Sequence, residues 1–268
     1  MKYVAFLDII GFKDTLKKLN QNDATDYISK FSSTAYKIWE ENNTQGLTGC
    51  IISDSFIIYT ENTHPSSLIR LMKIIDLICK EEFTRNSILI RGGLAKGDFE
   101  QIPTKAFNNL SKELIVGQAY IDAYMLEGVS KSFGISIEEN VYNDLENCNY
   151  NTSNIVENKV VNKYIIRYLD IDYLLKNDNL RSFVRLAKES KWLPHYYNSI
   201  AYAIKNEDNK KKVDELFYSI LKYSCDNKTG ENYSAIDMFI EKAFAEEVDT
   251  KFKKRILRFI RQSLINHF

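Results

Sequence analysis

Two different hydrophobic periods run through this 268-residue chain, one after the other, and that succession limits the folds open to it more than any other feature. Up to about residue 170, short apolar runs of β-type composition alternate with segments whose apolar residues recur every three to four positions. From about Tyr173 onward only the helical period remains. The reading is a mixed α and β domain over residues 1–172 followed by an all-helical C-terminal extension over 173–268.

Within the first part, Tyr3–Ile9 reads as a strand. Asp23–Asn42 places Ala24, Tyr27, Ile28, Phe31, Ala35 and Ile38 at helical spacing. Cys50-Ile51-Ile52 and Phe56–Tyr59 flank a tight turn at Ser53-Asp54-Ser55, as in a hairpin. His64-Pro65-Ser66-Ser67 opens a helix whose apolar residues, from Leu68 to Ile78, nearly encircle it and imply deep burial. Ser87–Ala95 is a strand whose Gly92-Gly93 pair signals a bulge or a close backbone approach. Gly97–Lys112 reads as loop, Gly117–Leu126 as helix, and Gly134–Ile137 and Val160–Tyr168 as strands. The resulting order is β-α-β-β-α-β-α-β. Five helices are expected in the tail: Leu175–Lys188, Tyr196–Lys205, Val213–Tyr223, Ala235–Phe244 and Thr250–Ile265. With only three prolines in the chain and no linker-like stretch, the tail is expected to pack on the first part.

Charge excludes several partners. Lys plus Arg and Asp plus Glu both number 36, so no global basic field argues for nucleic acid or an anionic membrane surface. Lys210-Lys211-Lys212 and the Lys251–Arg255 run alternate with acids and apolar residues, as solvated helix faces do. No stretch approaches the ~20 apolar residues of a membrane span, and no signal-peptide pattern opens the chain, so a cytoplasmic location is expected. Cys50, Cys79, Cys148 and Cys225 are widely spaced without a CxxC pair, which suits reduced thiols. The three histidines are equally scattered and support no nucleophile–histidine arrangement.

Two carboxylates carry the chemistry. Asp8 closes the first strand and Asp54 sits at the tip of the hairpin, so neighbouring strands would make them converge. Hard oxygen ligands at strand ends, with the Ile9 carbonyl between them, suit Mg²⁺, which is held by one or two carboxylates plus substrate phosphates. Taken singly, Asp8 is as well explained as a helix N-cap and Asp54 as a turn residue. The main-chain amides of Ile10, Gly11 and Phe12 precede a helix and are candidates to cradle phosphate.

These motifs together resemble the catalytic domain of class III nucleotidyl cyclases, the family of adenylate and guanylate cyclases. The resemblance rests on four landmarks: Phe6, Asp8, Ile9, Gly11 and Phe12; Ser53-Asp54-Ser55; Arg91, Gly93, Leu94 and Gly97; and Gly117 with Ala123. It covers about residues 1–170 and implies an α+β, ferredoxin-like or palm-type domain with a β-α-β-β-α-β core. It further implies two Mg²⁺ or Mn²⁺ ions on Asp8, Ile9 and Asp54, a nucleoside triphosphate substrate, a 3′,5′-cyclic product and a homodimer.

The departures from the family are equally specific. Ile121 and Met125 stand where the family has an Asn and an Arg that stabilise the transition state across a dimer interface. Cys50 stands at the purine-selecting position before Asp54, and Leu114 at its partner position; Ser53 replaces the usual Gly. Two explanations fit. One is a cyclase with other substrate contacts: the opening motif and the Ala123-Tyr124-Met125-Leu126-Glu127 helix resemble the bacterial antiphage cyclases that make cyclic UMP or cyclic CMP. Arg91, with Lys96 and Lys105 behind it, would then supply positive charge to a phosphate or a pyrimidine carbonyl, unless it is a structural ion pair. Tyr124 or Tyr59 would stack on the base, and Cys50 would lie beside it. The other is a protein without turnover, acting as a nucleotide sensor or partner-binding module. A related polymerase-type palm would want two consecutive acids in the hairpin, where Ser53-Asp54-Ser55 offers one. The helical tail is a candidate site for a protein partner.

Overall fold

The computed structural model describes residues 1–102, 114–129, 134–158, 162–176, 179–182, 200, 203–204, 207–225, 254, 257–258 and 262. The first compact unit, which ends at Ile166, runs in the order β1 (Lys2–Ile9), α1 (Phe12–Leu16), α2 (Gln21–Glu41), β2 (Leu47–Ile52), β3 (Ser55–Thr60), α3 (Pro65–Glu81), a π-helical turn (Glu82–Asn86), β4 (Ile90–Gly97), β5 (Glu100–Ile102), β6 (Leu114–Val116), α4 (Gln118–Glu127), β7 (Gly134–Ile137), α5 (Glu139–Asn147), β8 (Ile155–Asn158) and β9 (Lys163–Ile166).

Seven of these strands form one sheet in the order β2-β3-β1-β4-β7-β9-β8. Every neighbouring pair is antiparallel except β4 and β7. The first four strands lie as β4-β1-β3-β2, the ferredoxin-like arrangement that a βαββαβ chain gives when its two halves interleave. β1 is therefore interior, bonded along both edges. A strand in that place needs apolar residues on both faces, and Tyr3, Val4, Ala5, Phe6, Leu7 and Ile9 are all buried.

Local chemistry accounts for the helices. The Asn20 side chain accepts from the Asp23 amide at 3.0 Å and starts α2, which buries Phe31, Ala35 and Ile38 at a spacing of four and three. Pro65 at the first position of α3 follows the His64 cap. The wide apolar stripe of α3, from Leu68 to Cys79, packs beside α2 and over β3.

The Gly92-Gly93 pair resolves as close approach, with no bulge. β1 and β4 stay in unbroken register from Lys2 opposite Gly97 to Ile9 opposite Ile90. A Cβ at Gly93 would lie 2.1 Å from the Ala123 carbonyl oxygen, and one at Gly92 would lie 2.4 Å from that of Phe6. Gly93 lets α4 sit directly on β4, while Gly92 admits the close approach of β1 and the Ile135 side chain on the other face. Val4 and Phe6 of β1 pack with Ala119, Ala123 and Leu126 of α4 on this face.

Four elements, β5, β6, α5 and β8, were not in the pattern-based expectation. The segment read as loop from Gly97 contains β5, which pairs with β6 in a separate two-stranded ribbon. Its anchor is aromatic: Phe99 lies 4.4 Å from the Tyr59 ring, and the Tyr59 hydroxyl donates to Gln101 Oε1. Lys105 and the rest of residues 103–113 lie outside the described residues. α5 escaped notice because only Val141 and Leu145 of its nine residues are buried. β8 is a sheet edge too short to show an alternating pattern.

A second compact unit begins at Arg167. There α6 (Ile171–Leu175) starts where the Asp170 side chain accepts from the Tyr173 amide at 2.7 Å. The next helix described in full, α7 (Lys210–Cys225), buries Val213, Leu216 and Phe217, and Lys212 pairs with Asp172 at 2.8 Å. Residues 179–182 are helical too. The expected helices Ala235–Phe244 and Thr250–Ile265, and most of Leu175–Lys188 and Tyr196–Lys205, lie outside the described residues. Among the described residues no helix is long and apolar enough to cross a membrane, and Cys50, Cys79 and Cys148 form no disulfide.

One buried acid sets a pH dependence. Glu82 at the start of the π-helical turn is 0% exposed. Its Oε2 accepts from Asn86 Nδ2 at 2.8 Å, while Oε1 has no hydrogen-bond partner among the described residues. Burial pushes its carboxyl up to about 8; the Asn86 bond opposes the shift and the neighbouring Glu81 adds to it. Because the folded state holds this proton more tightly than the unfolded state, the Glu82 contribution to stability is greatest below the ordinary Glu range and is lost as pH rises towards about 8. Glu82→Gln should raise stability at pH ~8 by about 2–4 kcal/mol and flatten that slope, as read by urea unfolding across the pH range.

Candidate active site

The register of the sheet brings three predicted residues together at one end of β1. Asp8 stands opposite Ser55 of β3 on one side and opposite Arg91 of β4 on the other. It follows Val4 and Phe6 at the strand period of two, so it projects on the face covered by α4. Asp54 lies in the two-residue loop between Ile52 and Ser55, which are paired. Ser53 adopts φ 57°, a backbone conformation that glycine takes without steric cost. The tip is tied to β1 because the Ile9 amide donates to the Asp54 carbonyl at 3.2 Å.

Asp8 has two neighbours of opposite kinds. The Ser55 hydroxyl donates to its Oδ1 at 3.2 Å, and Arg91 Nη2 lies 3.7 Å from its Oδ2. Arg91 turns its Nε to Glu127 Oε1 at the C-terminal end of α4, forming an ion pair of two atoms shielded from water. Burial is the main reason the Asp8 carboxyl is raised above its ordinary range; the Asp54 charge raises it further, while Ser55 and Arg91 oppose. Glu127 is also raised, by burial first, with Arg91 opposing and Asp8 and Asp54 adding.

Asp8 and Glu127 thus share one guanidinium while the Asp54 charge acts on both, and the balance is negative. Such a place favours a cation. Among the described residues no group of three or more His, Cys, Asp or Glu side chains is arranged as a metal-binding cluster. The available set is Asp8 and Asp54 with a backbone carbonyl, which is hard, oxygen-only and incomplete without further ligands. That fits Mg²⁺ or Mn²⁺ completed by phosphate and water better than a closed all-protein cage.

The other predicted residues fall at varying distances from this centre along the chain. Ile10 is buried and its amide donates to the Leu89 carbonyl at 2.8 Å, so that amide is committed to the sheet and cannot join a phosphate cradle. Gly11 takes φ 70° and caps α1, and the Phe12 ring stacks on Tyr27 at 6.4 Å. Cys50 is half-buried on β2 opposite Ile57. The Tyr124 ring leans edge-on against Phe6 at 5.2 Å and is 54% exposed. Tyr59 is not a base platform: it is buried against Phe99. Ser55 and Glu127 were not foreseen as site residues. Glu127 ends the helix that the glycines of β4 admit, so its spacing of four from Ala123 was the available signal.

No protein-family model matches the chain, and no curated protein matches it. Solved structures do. The adenylyl cyclase CyaB from P. aeruginosa is similar at 16% identity and TM-score 0.49, over 62% of this chain and 92% of that one. The guanylate cyclase domain of RhGC from Catenaria anguillulae, in complex with GTP, is similar at 18% identity and TM-score 0.44, over 54% of this chain and 81% of that one. The monomeric guanylyl cyclase domain of the RhoGC fusion protein from Blastocladiella emersonii is similar at 20% identity and TM-score 0.45, over 62% and 93%.

Asp8 carries an energetic signature that can be measured. Its raised carboxyl means that ionisation costs stability in the folded state, so its contribution declines as pH climbs through the carboxylate range. Asp8→Asn should stabilise the protein by about 1 kcal/mol at pH ~7, with the difference vanishing near pH ~3 where both states are protonated. Paired melting curves at the two pH values check this.

Proposed function

We propose that this chain is a metal-dependent nucleotidyl cyclase that converts a nucleoside triphosphate, UTP or CTP, to a 3′,5′-cyclic mononucleotide and pyrophosphate. The observation that carries the reading is the convergence of Asp8 and Asp54 at one sheet end, with the Ile9 amide on the Asp54 carbonyl. Asp8, Asp54 and the Ile9 carbonyl would hold Mg²⁺ or Mn²⁺, which when bound neutralises phosphate charge and polarises the attacking and leaving oxygens.

The protein's own part is positioning. The Gly11 and Phe12 amides, and Arg91 as a fork, orient the triphosphate for in-line displacement. The bond from the ribose 3′-oxygen to the α-phosphorus forms as the bridge to the β-phosphorus breaks, and the hydroxyl proton leaves to solvent. Tyr124 offers a ring face to the base, and Cys50 lies on the strand that ends in the hairpin. The uridylate or cytidylate preference, and with it a role in antiphage signalling, rests on the likeness noted in the sequence and on apolar or weakly polar groups at Cys50 and Leu114. Neither side chain offers the strong donors or acceptors that purine selection uses.

A homodimer is part of the same reading. Ile121, Tyr124 and Met125 line one side of α4 at spacings of three and four, with Ile121 52% and Met125 63% exposed. Apolar residues exposed to this degree in one row suit burial against a second copy. Light scattering of an Ile121→Asp/Met125→Asp variant should show loss of the dimer formed by the parent.

The same two residues favour a second reading, a nucleotide-sensing or partner-binding module without turnover, because neither supplies a charge or donor to a transition state. One experiment separates the two. Purified protein is incubated with Mn²⁺ and each of the four ribonucleoside triphosphates beside an Asp8→Ala/Asp54→Ala variant. The expected result is a cyclic product from UTP or CTP that falls by at least about 100-fold in the variant, identified by mass. No product from a folded dimer would transfer the assignment to the binding module.

A further inference from the structure

A divalent cation approaching Asp8 meets a positive charge already in place. Arg91 Nη2 is 3.7 Å from the carboxylate that would have to ligate the metal. A guanidinium this close to an aspartate would ordinarily fork onto both oxygens. Here the one recorded contact is Nη2 at 3.7 Å, and the Nε edge of the guanidinium is turned to Glu127 instead.

The Glu127 contact is the more protected one, with that side chain 11% exposed against 18% for Asp8. It is also fixed from the helix side. Gly93, two residues along β4 from Arg91, lets the Ala123 carbonyl and Leu126 of α4 approach to within 2.1 Å and 2.6 Å of where a Cβ would stand. That packing holds Glu127 over Arg91 without a flexible arm.

Resting on the metal reading of Asp8 and Asp54, we infer that Glu127 is a positioning residue: a counter-anion that holds the Arg91 guanidinium back from Asp8 and so reserves the Asp8 carboxylate for a divalent cation. Glu127 touches neither metal nor substrate. It acts through Arg91.

Mn²⁺ binding to the 268-residue protein without nucleotide, followed by electron paramagnetic resonance, tests this. Glu127→Gln leaves the guanidinium uncompensated and free to fork onto Asp8, and should weaken Mn²⁺ binding by at least about 5-fold. Adding Arg91→Met removes the competitor, so the double variant should recover to within about 2-fold of the parent. Arg91→Met alone should bind at least as tightly as the parent. Far-UV circular dichroism checks that each variant is folded, and if Glu127→Gln does not fold, Arg91→Met still decides. Unchanged binding in Glu127→Gln, a double variant as weak as that single variant, or loss of binding in Arg91→Met would each overturn the role of Glu127. Asp8→Ala/Asp54→Ala provides the separate control: if it binds Mn²⁺ like the parent, the metal reading itself falls, whatever Glu127 does.

Discussion

Strand β1 is hydrogen-bonded on both edges and covered on both faces, and the rest of the first unit is arranged around that burial. A strand so placed admits a carboxylate only where the sheet runs out, and there only with compensation. Asp8 occupies that end, and its neighbours answer the need: a hydroxyl from β3 and a guanidinium from β4. The hairpin between β2 and β3 then returns Asp54 to the same end, with its carbonyl held by the Ile9 amide. The compensation is partial, since burial and the Asp54 charge still leave Asp8 raised. An incompletely neutralised pair of carboxylates is a poor stabiliser and a good cation site, which is the usual relation between stability and function at such places.

The close packing of α4 on β4 links this end to the opposite side of the helix. Without side chains at Gly93 and Gly97 the helix sits low, Ala119, Ala123 and Leu126 enter the core, and Glu127 reaches Arg91. The same rotation turns Ile121, Tyr124 and Met125 outward. One helix therefore contributes both an ion pair to the site and an apolar surface suited to a second copy.

Much of this was legible in the residues. The apolar Tyr3–Leu7 run marked a strand, the spacing in Asp23–Asn42 and the Pro65 start marked two helices, and Asp8 and Asp54 stood out because each interrupts an otherwise apolar context. What was not legible depends on long-range contact. β5 and β6 are three residues each and exist through pairing and through Phe99 on Tyr59, which no local period records. α5 is too polar to announce itself. The commitment of the Ile10 amide to Leu89 follows from the neighbouring strand and could not be read from the glycine-containing turn alone. Glu127 follows the last residue of the expected helix Gly117–Leu126, and only the placement of Arg91 on β4 gives it a partner.

The proposed activity requires Asp8 and Asp54 to form one cation site for a triphosphate. A crystal of the protein soaked with Mn²⁺ and a non-hydrolysable triphosphate, with anomalous differences measured at the manganese edge, tests it most directly. The expected result is anomalous density within about 2.5 Å of both carboxylates and against phosphate oxygens. Triphosphate bound with manganese elsewhere, or with Asp8 still paired to Arg91 and no metal between the two aspartates, would contradict it.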